Sequence, residues 1–345
     1  MSTFRESVSR QRKHLLPRLH PPLATTIPDP TIREQGEVWL AELAKRMRDP
    51  IQQSTMDQRA GALRNWIYRE IGHLHLSETR STTVKPLVHA LVAAGRSPWT
   101  IKTYVLVVKM VVASLTDEQG EPLYVRQWSS RLLDMPRIDG RRLNTPCFPP
   151  HIMTLLAQWK CRRERALFII AGATGARISE LLGLEVDKHI SADCSTIWIA
   201  QQAYRGRVKG RPKTPTSVRE IDLHPAVTAL LRELIGSRTS GFLFCARTGK
   251  PLTLPYILRY HLHPALEAAG YLNPVTGTHK AGSHAFRRFR NTHLGKCVGL
   301  PKRMQQYWMG HSDGSMSGLY DHIYEDRSLR KQWVERCGLG FELPE

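Results

Sequence analysis

The sequence predicts a two-domain protein that is mainly α-helical, with an all-α first domain and a small antiparallel β-sheet (α+β) in the second. Three patterns support this: apolar residues near the 3.6-residue helical period, two short strand-like segments, and a Gly- and Pro-rich stretch between the halves. A chain of 345 residues is long enough for two separate cores. The predicted boundaries are 1–31 for a basic N-terminal segment, 32–135 for the helical domain, 136–150 for a linker and 151–345 for the second domain.

The N-terminal segment is basic and lacks the apolar stretch of a secretion signal, so it is predicted to be a flexible tail. Four apolar helical stripes follow in the first domain. They are Val38, Leu40, Leu43 and Met47; Met56, Ala60, Leu63, Ile67 and Ile71; Val84, Leu87, Val88 and Leu91; and Ile101, Val105, Val108 and Val111. Ser97 before Pro98 predicts the N-cap and first turn of the fourth helix.

The second domain is predicted to alternate helices with a little β-structure. Predicted helices cover 151–159, 164–172, 176–183, 224–235, 254–269, 283–297, 300–309 and 328–337, and predicted strands cover 195–202 and 217–223. In the second strand, Ile221 and Leu223 alternate with Glu220 and Asp222, which is typical of a β-strand.

The net charge of +20 and the pI of about 10.1 indicate a nucleic-acid partner. Residues 1–143 carry 22 Lys and Arg against 14 Asp and Glu, a net +8, and the remainder carries 28 against 16, a net +12. Both domains can therefore face one polyanion, as the two halves of a clamp would.

The six cysteines form no Cys-x-x-Cys pair and show no zinc-binding spacing, which predicts reduced thiols in a cytoplasmic protein. No apolar run reaches the ~18 residues of a membrane helix. These features argue against secreted and membrane-spanning proteins.

The order of the chemically active side chains is the most informative pattern in the chain. Two guanidinium groups can bind the oxygens of one phosphodiester, a tyrosine can hold the phosphate covalently, and lysine and histidines can transfer protons. The order in the sequence is Arg177, Lys213, His284, Arg287, His311 and Tyr320.

The local sequence around these residues resembles that of the tyrosine recombinases, also called the phage integrase family. Residues 174–184 match the family's first arginine box, 283–287 match its His-x-x-Arg box, and Gly310-His311 is followed nine residues later by Tyr320. The resemblance covers residues 145–337 well. In the N-terminal helical region it extends to the general layout, which is similar to the family's core-binding domain.

The resemblance implies a site-specific recombinase that needs neither ATP nor a metal. Arg177 and Arg287 would bind the scissile phosphate, Tyr320 would form a 3′-phosphotyrosine, and Lys213 would protonate the 5′ oxygen. His284 would act as acid and base, and His311 would support the phosphate. The implied partners are double-stranded DNA, held in a two-domain clamp, and three further copies in a tetrameric synapse, with residues 327–339 docking on a neighbour. The apolar stripe of Leu329, Trp333 and Cys337 in that segment equally suits packing within one chain. The implied location is the nucleoid.

Several assignments stay open at the sequence level. Lys209 is the alternative to Lys213 and Tyr324 the alternative to Tyr320, while Glu180 is either an ion-pair partner of Arg177 or an exposed acid. Arg288 and Arg290 are predicted to meet backbone phosphates or solvent. A zinc role for His284 and His311 is disfavoured, because no third ligand stands at metal spacing.

Candidate contacts to the DNA backbone are Arg59 and Lys102 in the first domain, and Lys209 and Arg211 between the two predicted strands of the second. Two rival functions share parts of the same pattern. A type IB topoisomerase would use the same phosphotyrosine chemistry as a monomer, and a non-cutting DNA-binding relic would keep the fold without the reaction.

Overall fold

The computed structural model describes residues 28–48, 50–138, 146–209, 217–272, 281–311 and 323–344. The chain divides into two compact units, Met1–Arg141 and Arg142–Glu345, and each has a hydrophobic core of its own. Of the tail predicted at 1–31, residues 1–27 lie outside the described residues. Within the described part of the chain, no helix combines the length and the apolar character needed to cross a lipid bilayer.

The described part of the first unit is helical. Its elements are α1 (Ile32–Lys45), α2 (Gln53–Ala62), a π-helical turn (Leu63–Ile67), α3 (Tyr68–Glu70), α4 (Ser81–Ala93) and α5 (Pro98–Val112). Helix α1 begins with a capping box, in which Thr31 and Glu34 satisfy each other's backbone N–H groups. Helix α5 begins as predicted, because the Ser97 hydroxyl accepts from the Thr100 N–H and Pro98 occupies the first turn.

The predicted stripes of α4 and α5 are confirmed, since all eight of their apolar residues are buried. The stripe predicted for α1 is wrong in part. Val38 is 50% exposed and Met47 is 94% exposed, whereas Ile32 and Trp39 are buried. The helix ends at Lys45, before Met47, and its buried face follows Ile32, Trp39 and Leu40 instead.

The second unit is built around one central helix, α7. Its helices are α6 (Pro150–Ala157), α7 (Arg162–Thr174), α8 (Ile178–Leu181), α9 (Val186–His189), α10 (Pro225–Ile235), α11 (Leu254–Ile257), a π-helical turn (Leu258–Leu262), α12 (His263–Ala268), α13 (His284–Leu294), α14 (Lys302–Met309), a 3₁₀ turn (Ile323–Glu325) and α15 (Arg327–Cys337). From Ala166 to Thr174, α7 is buried on all sides, because α6, α10 and α13 pack around it. The Phe168 ring of α7 stacks on Phe286 of α13 at 5.5 Å.

The β-structure consists of two antiparallel pairs. Strand β1 (Thr196–Ile199) pairs with β4 (Arg219–Asp222), with Ile197 opposite Ile221. Strands β2 (Gln202–Tyr204) and β3 (Arg207–Lys209) form a hairpin. Its two-residue turn places Arg205 and Gly206 at φ of 52° and 72°, the left-handed conformation that a tight hairpin turn requires. The mainly α fold with a small antiparallel sheet is therefore confirmed.

Some predicted elements differ in detail. The strand predicted at 195–202 is two strands that belong to different pairs, and the helix predicted at 176–183 has only four residues. The alternation in β4 does not separate a buried from a solvent-facing side. Asp222 is as buried as Ile221, because α14 and α15 supply Trp308 and Arg330 to bind its carboxylate.

Candidate active site

Arg177 lies at a sharp turn between two helices. Helix α7 ends at Gly175, whose φ of 68° is the left-handed conformation that favours glycine. A Cβ atom at Gly175 would lie 2.8 Å from the terminal methyl of Met309 and 3.1 Å from the Cβ of Arg290, so a larger residue would crowd both side chains. Two residues later, Arg177 caps α8 and keeps 36% of its side chain exposed. The turn therefore presents one guanidinium to solvent at a tightly packed position.

Glu180 is a buried ion-pair partner and not an exposed acid, which settles the alternative left open by the sequence. Its carboxylate accepts hydrogen bonds from the Arg177 guanidinium at 2.6 Å and the Arg177 main-chain N–H at 2.9 Å. Burial opposes the charged form of Glu180, but Arg219 and Arg177 outweigh it and lower the pKa of the carboxyl below its usual value. Glu180 thus stays ionised and fixes the rotamer of Arg177.

Arg219 is a site residue that the sequence reasoning missed. Its fully buried side chain on β4 donates to Glu180 at 3.0 Å, to the Trp308 carbonyl at 2.8 Å and to the Ser217 carbonyl at 2.9 Å. Gly310 packs directly against it, because a Cβ there would lie 3.1 Å from an Arg219 nitrogen. One guanidinium therefore joins β4, α8 and the end of α14.

Arg287 lies on α13 and connects the turn at Gly175 to the end of α14 at Met309. Its guanidinium donates to the carbonyl of Gly175 at 3.0 Å and to the carbonyl of Met309. Burial, together with the neighbouring cations Arg177 and Arg219, lowers the pKa of Arg287 to about 10, and the Glu180 carboxylate offsets only part of this shift. The charges of Arg177, Arg219 and Arg287 are therefore close enough to repel one another.

The two histidines face the same cluster. His284 begins α13, and His311 follows Gly310, which ends α14 in the left-handed conformation. Both side chains are exposed to solvent. Desolvation lowers the pKa of His284, with Arg288 and Arg177 as the next causes. Desolvation also lowers the pKa of His311, followed by Arg287, Arg177 and Arg219. Both imidazoles are therefore favoured in the neutral form.

The structure thus brings together four of the six residues predicted for the reaction, which are Arg177, His284, Arg287 and His311. Lys213 and Tyr320 lie outside the described residues, as does Arg211. Lys209 ends β3, but its side chain is also outside the described part.

The candidate DNA contacts of the first unit pair with aromatic rings. The Arg59 guanidinium lies 5.3 Å from the ring centre of Trp39, and the Lys102 ammonium lies 5.6 Å from that of Trp99. Both distances lie within the range of cation–π interactions. Their contact with DNA remains a prediction.

The prediction for Arg290 is wrong. This residue is 3% exposed and donates to the Gly338 carbonyl at 2.7 Å, so it binds the C-terminal segment and not phosphate or solvent. The reason is its position on the inner face of α13, one turn from Phe286. Arg288, which is partly buried, donates to the Pro146 carbonyl at 3.1 Å.

A different cluster has the composition of a metal site. The ligand atoms of Cys161, Glu164 and His261 lie within 4.8 Å of one another, at the opposite end of α7 from Arg177. Arg163 donates two hydrogen bonds to one Glu164 oxygen, and the Trp159 indole donates to the His261 ring. The carboxylate charge and one ring nitrogen are therefore already satisfied by the protein.

The chain belongs to the phage integrase family, whose model matches residues 150–327. This family of tyrosine recombinases transfers DNA strands.

Two curated relatives are similar in sequence. Tyrosine recombinase XerC of Pseudomonas aeruginosa is 27% identical over 168 residues, which cover 47% of this chain and 48% of that protein. The match thus spans about half the length of that relative. A XerC-like tyrosine recombinase of Caldanaerobacter subterraneus subsp. tengcongensis is 22% identical over 317 residues, which cover 86% of this chain and 80% of that protein.

Solved structures share the fold. A Tn1549 transposon integrase in complex with transposon right end DNA superposes with a TM-score of 0.64 at 20% identity, covering 88% of this chain and 98% of that chain. A lambda integrase tetramer bound to a Holliday junction gives a TM-score of 0.59 at 14% identity, covering 83% of this chain and 79% of that chain.

Proposed function

We propose that this protein is a site-specific DNA recombinase that cuts and rejoins DNA strands through a 3′-phosphotyrosine. The observation that carries the proposal is the charge balance of the cluster. Three guanidinium groups, Arg177, Arg219 and Arg287, surround Glu180, the one carboxylate that the described residues bring to this cluster. The cluster therefore carries an excess of positive charge. A phosphodiester bound at the solvent-accessible side of the cluster, where Arg177 lies, would neutralise it.

In the proposed reaction, Arg177 and Arg287 bind the non-bridging oxygens of the scissile phosphate. Tyr320 attacks phosphorus, so that a bond from its oxygen to phosphorus forms while the bond to the 5′ oxygen breaks. The tyrosine proton passes to a neighbouring base, for which neutral His284 is suited by its lowered pKa. Lys213, with Lys209 as the alternative, protonates the departing 5′ oxygen, and His311 supports the phosphate.

The chemistry requires no external energy source, because the phosphotyrosyl bond conserves the energy of the broken phosphodiester. The guanidinium groups supply the positive charge that the transition state needs, so the proposal includes neither a metal nor ATP. By likeness to the lambda integrase tetramer, we further propose that four copies act together on two double-stranded DNA sites in the nucleoid. The segment 327–339 packs on its own chain, where Arg330 binds Asp222 and Arg290 binds the Gly338 carbonyl, so the proposal does not include docking of this segment on a neighbour.

The test is the formation of a covalent adduct on a nicked suicide substrate. Tyr320→Phe removes only the hydroxyl and is expected to bind DNA like the wild type but to form no adduct. Tyr324→Phe is the matched control, and its ring stacks on Tyr307 at 4.7 Å, which the substitution preserves. Adducts should persist in EDTA. Adducts that survive in Tyr320→Phe and vanish in Tyr324→Phe would transfer the nucleophile to Tyr324, and their absence from the wild type would contradict the proposed function.

A further inference from the structure

Arg330 is a buried cation on α15 that the reaction described above does not use. It is 2% exposed, and its guanidinium serves three partners at once. Its Nε donates to Asp222 at 2.7 Å, one terminal nitrogen donates to Glu220 at 2.6 Å, and the other donates to the main-chain carbonyl of Tyr324 at 2.7 Å. The guanidinium presents donors from three separate nitrogen atoms, whereas the three donors of a lysine ammonium lie on one nitrogen and cannot span acceptors spread this far apart.

Tyr324 is held by its ring as well as by its carbonyl. The ring stacks on Tyr307 of α14 at 4.7 Å, with 15° between the planes. The Tyr307 hydroxyl accepts a hydrogen bond from the Glu220 N–H of β4 at 3.1 Å, and the Arg330 guanidinium lies 5.6 Å from the Tyr307 ring centre. The backbone at Tyr324 is therefore fixed to both β4 and α14.

The same contacts continue into the arginine cluster through Trp308. The Trp308 indole donates to Asp222 at 3.2 Å, and its carbonyl accepts from Arg219 at 2.8 Å. Arg219 in turn donates to Glu180, which holds Arg177. A continuous set of buried contacts thus links the anchor at Tyr324 to the residue proposed to bind the phosphate.

The length of the chain shows why this anchor matters for Tyr320. Tyr320 lies four residue steps before Tyr324, which span at most about 14 Å, whereas the nine steps from His311 span up to about 32 Å. The restraint on the reach of Tyr320 therefore comes chiefly from Tyr324.

We propose that Arg330 is a positioning residue, which sets the reach of the nucleophile by holding Tyr324 against β4. This inference rests on the proposed function, in which Tyr320 attacks the phosphate. Arg330 touches neither DNA nor the reacting atoms in this proposal. It acts through the Tyr324 backbone, so its loss should slow the attack and leave the affinity for DNA unchanged.

The test compares Arg330→Lys with Arg162→Lys. Lysine keeps the positive charge beside Asp222 but cannot also hold Glu220 and the Tyr324 carbonyl. Arg162 is a matched control, because it also donates to a carboxylate and a carbonyl, both of Glu233, but on an exposed surface. Adduct formation at saturating DNA should fall about 10- to 100-fold in Arg330→Lys, because a displacement of about 1 Å can cost 100-fold in rate. Arg162→Lys should match the wild type.

Two further readouts separate positioning from other roles. Hydrogen exchange at 323–325 should accelerate in Arg330→Lys and not in Arg162→Lys, independently of activity. A substrate with sulfur in place of the scissile 5′ oxygen has a leaving group that needs no proton. Arg330→Lys should stay slow on it, whereas Lys213→Ala should recover. If Arg330→Lys lowers the thermal midpoint, Tyr307→Leu carries the test, because it removes the ring beneath Tyr324 and leaves the arginine in place.

The outcomes are distinguishable. Equal adduct rates in Arg330→Lys and Arg162→Lys would overturn the inference and leave the proposed function standing. Recovery of Arg330→Lys on the sulfur substrate would also overturn it, by assigning the residue to the leaving group. A wild type that forms no adduct would remove the proposed function, and the inference with it.

Discussion

Replacing Glu180 by glutamine tests whether the arginine cluster depends on one buried carboxylate. The substitution keeps the shape of the side chain and removes its charge. Glu180 accepts from the guanidinium groups of Arg177 and Arg219, and its side chain is 2% exposed. Arg219 is fully buried, and Glu180 is the ion-pair partner that it would lose. The variant therefore leaves a buried cation without compensation.

The expected cost follows from that burial. Removing one partner of a buried ion pair costs about 3–5 kcal/mol in the free energy of unfolding. For a unit of roughly 200 residues, each kcal/mol lowers the thermal midpoint by about 2–4 °C. The Glu180→Gln variant should therefore unfold roughly 6–20 °C below the wild type.

Differential scanning calorimetry measures this shift, with Glu233→Gln as the control. Glu233 forms an equally short ion pair with Arg162 at 2.7 Å, but both side chains are more than half exposed. An exposed pair contributes about 0–1 kcal/mol, so the control should lose at most about 4 °C. Equal losses in the two variants would refute the argument that burial makes Glu180 structurally important.

The same pair of proteins gives a pH test. The pKa of Glu180 lies below its usual value of 4.5, so its charge stabilises the fold above about that pH. This contribution is lost as the pH falls through the lowered pKa. The difference in midpoint between wild type and Glu180→Gln should therefore narrow in acid, and a difference that is constant from pH 7 to pH 3 would contradict the assignment.

Three further predictions concern the whole protein. Since both units are basic, affinity for DNA should fall at least about a hundredfold between roughly 50 and 200 mM salt in a binding titration, and a flat response would exclude the clamp. Residues 1–140 should bind DNA weakly without forming adducts, while 144–345 should form them at reduced affinity on a suicide substrate; adducts with the N-terminal fragment would reverse these roles. Desolvation and nearby arginines lower the pKa of His284 and His311, so adduct formation should decline only below about pH 6.5, the usual histidine value. A rate that falls between pH 8 and pH 7 would contradict neutral imidazoles.

The sequence predicted most elements whose formation depends on near neighbours. The stripes of α4 and α5 and the Ser97 cap were predictable because periodicity and backbone preference act over a few residues. The stripe of α1 was predicted less well, because Val38 and Met47 are apolar and yet exposed. Apolar residues on a surface are common, so composition alone could not assign the face.

The sequence by itself identified the family, because spacing along the chain is sufficient for that. The residues that show it are Arg177, His284, Arg287, His311 and Tyr320. The roles of Arg219, Arg290 and Arg330 were decided only by the tertiary structure. Arg219 meets Glu180 across 39 positions, and Arg330 meets Asp222 across 108. The free energy of a buried arginine depends on whether an acceptor from a distant element reaches it. The residues next to the arginine in sequence do not show whether such an acceptor exists. An arginine on a strand or helix therefore looks the same in sequence whether it faces solvent or links the elements of the site.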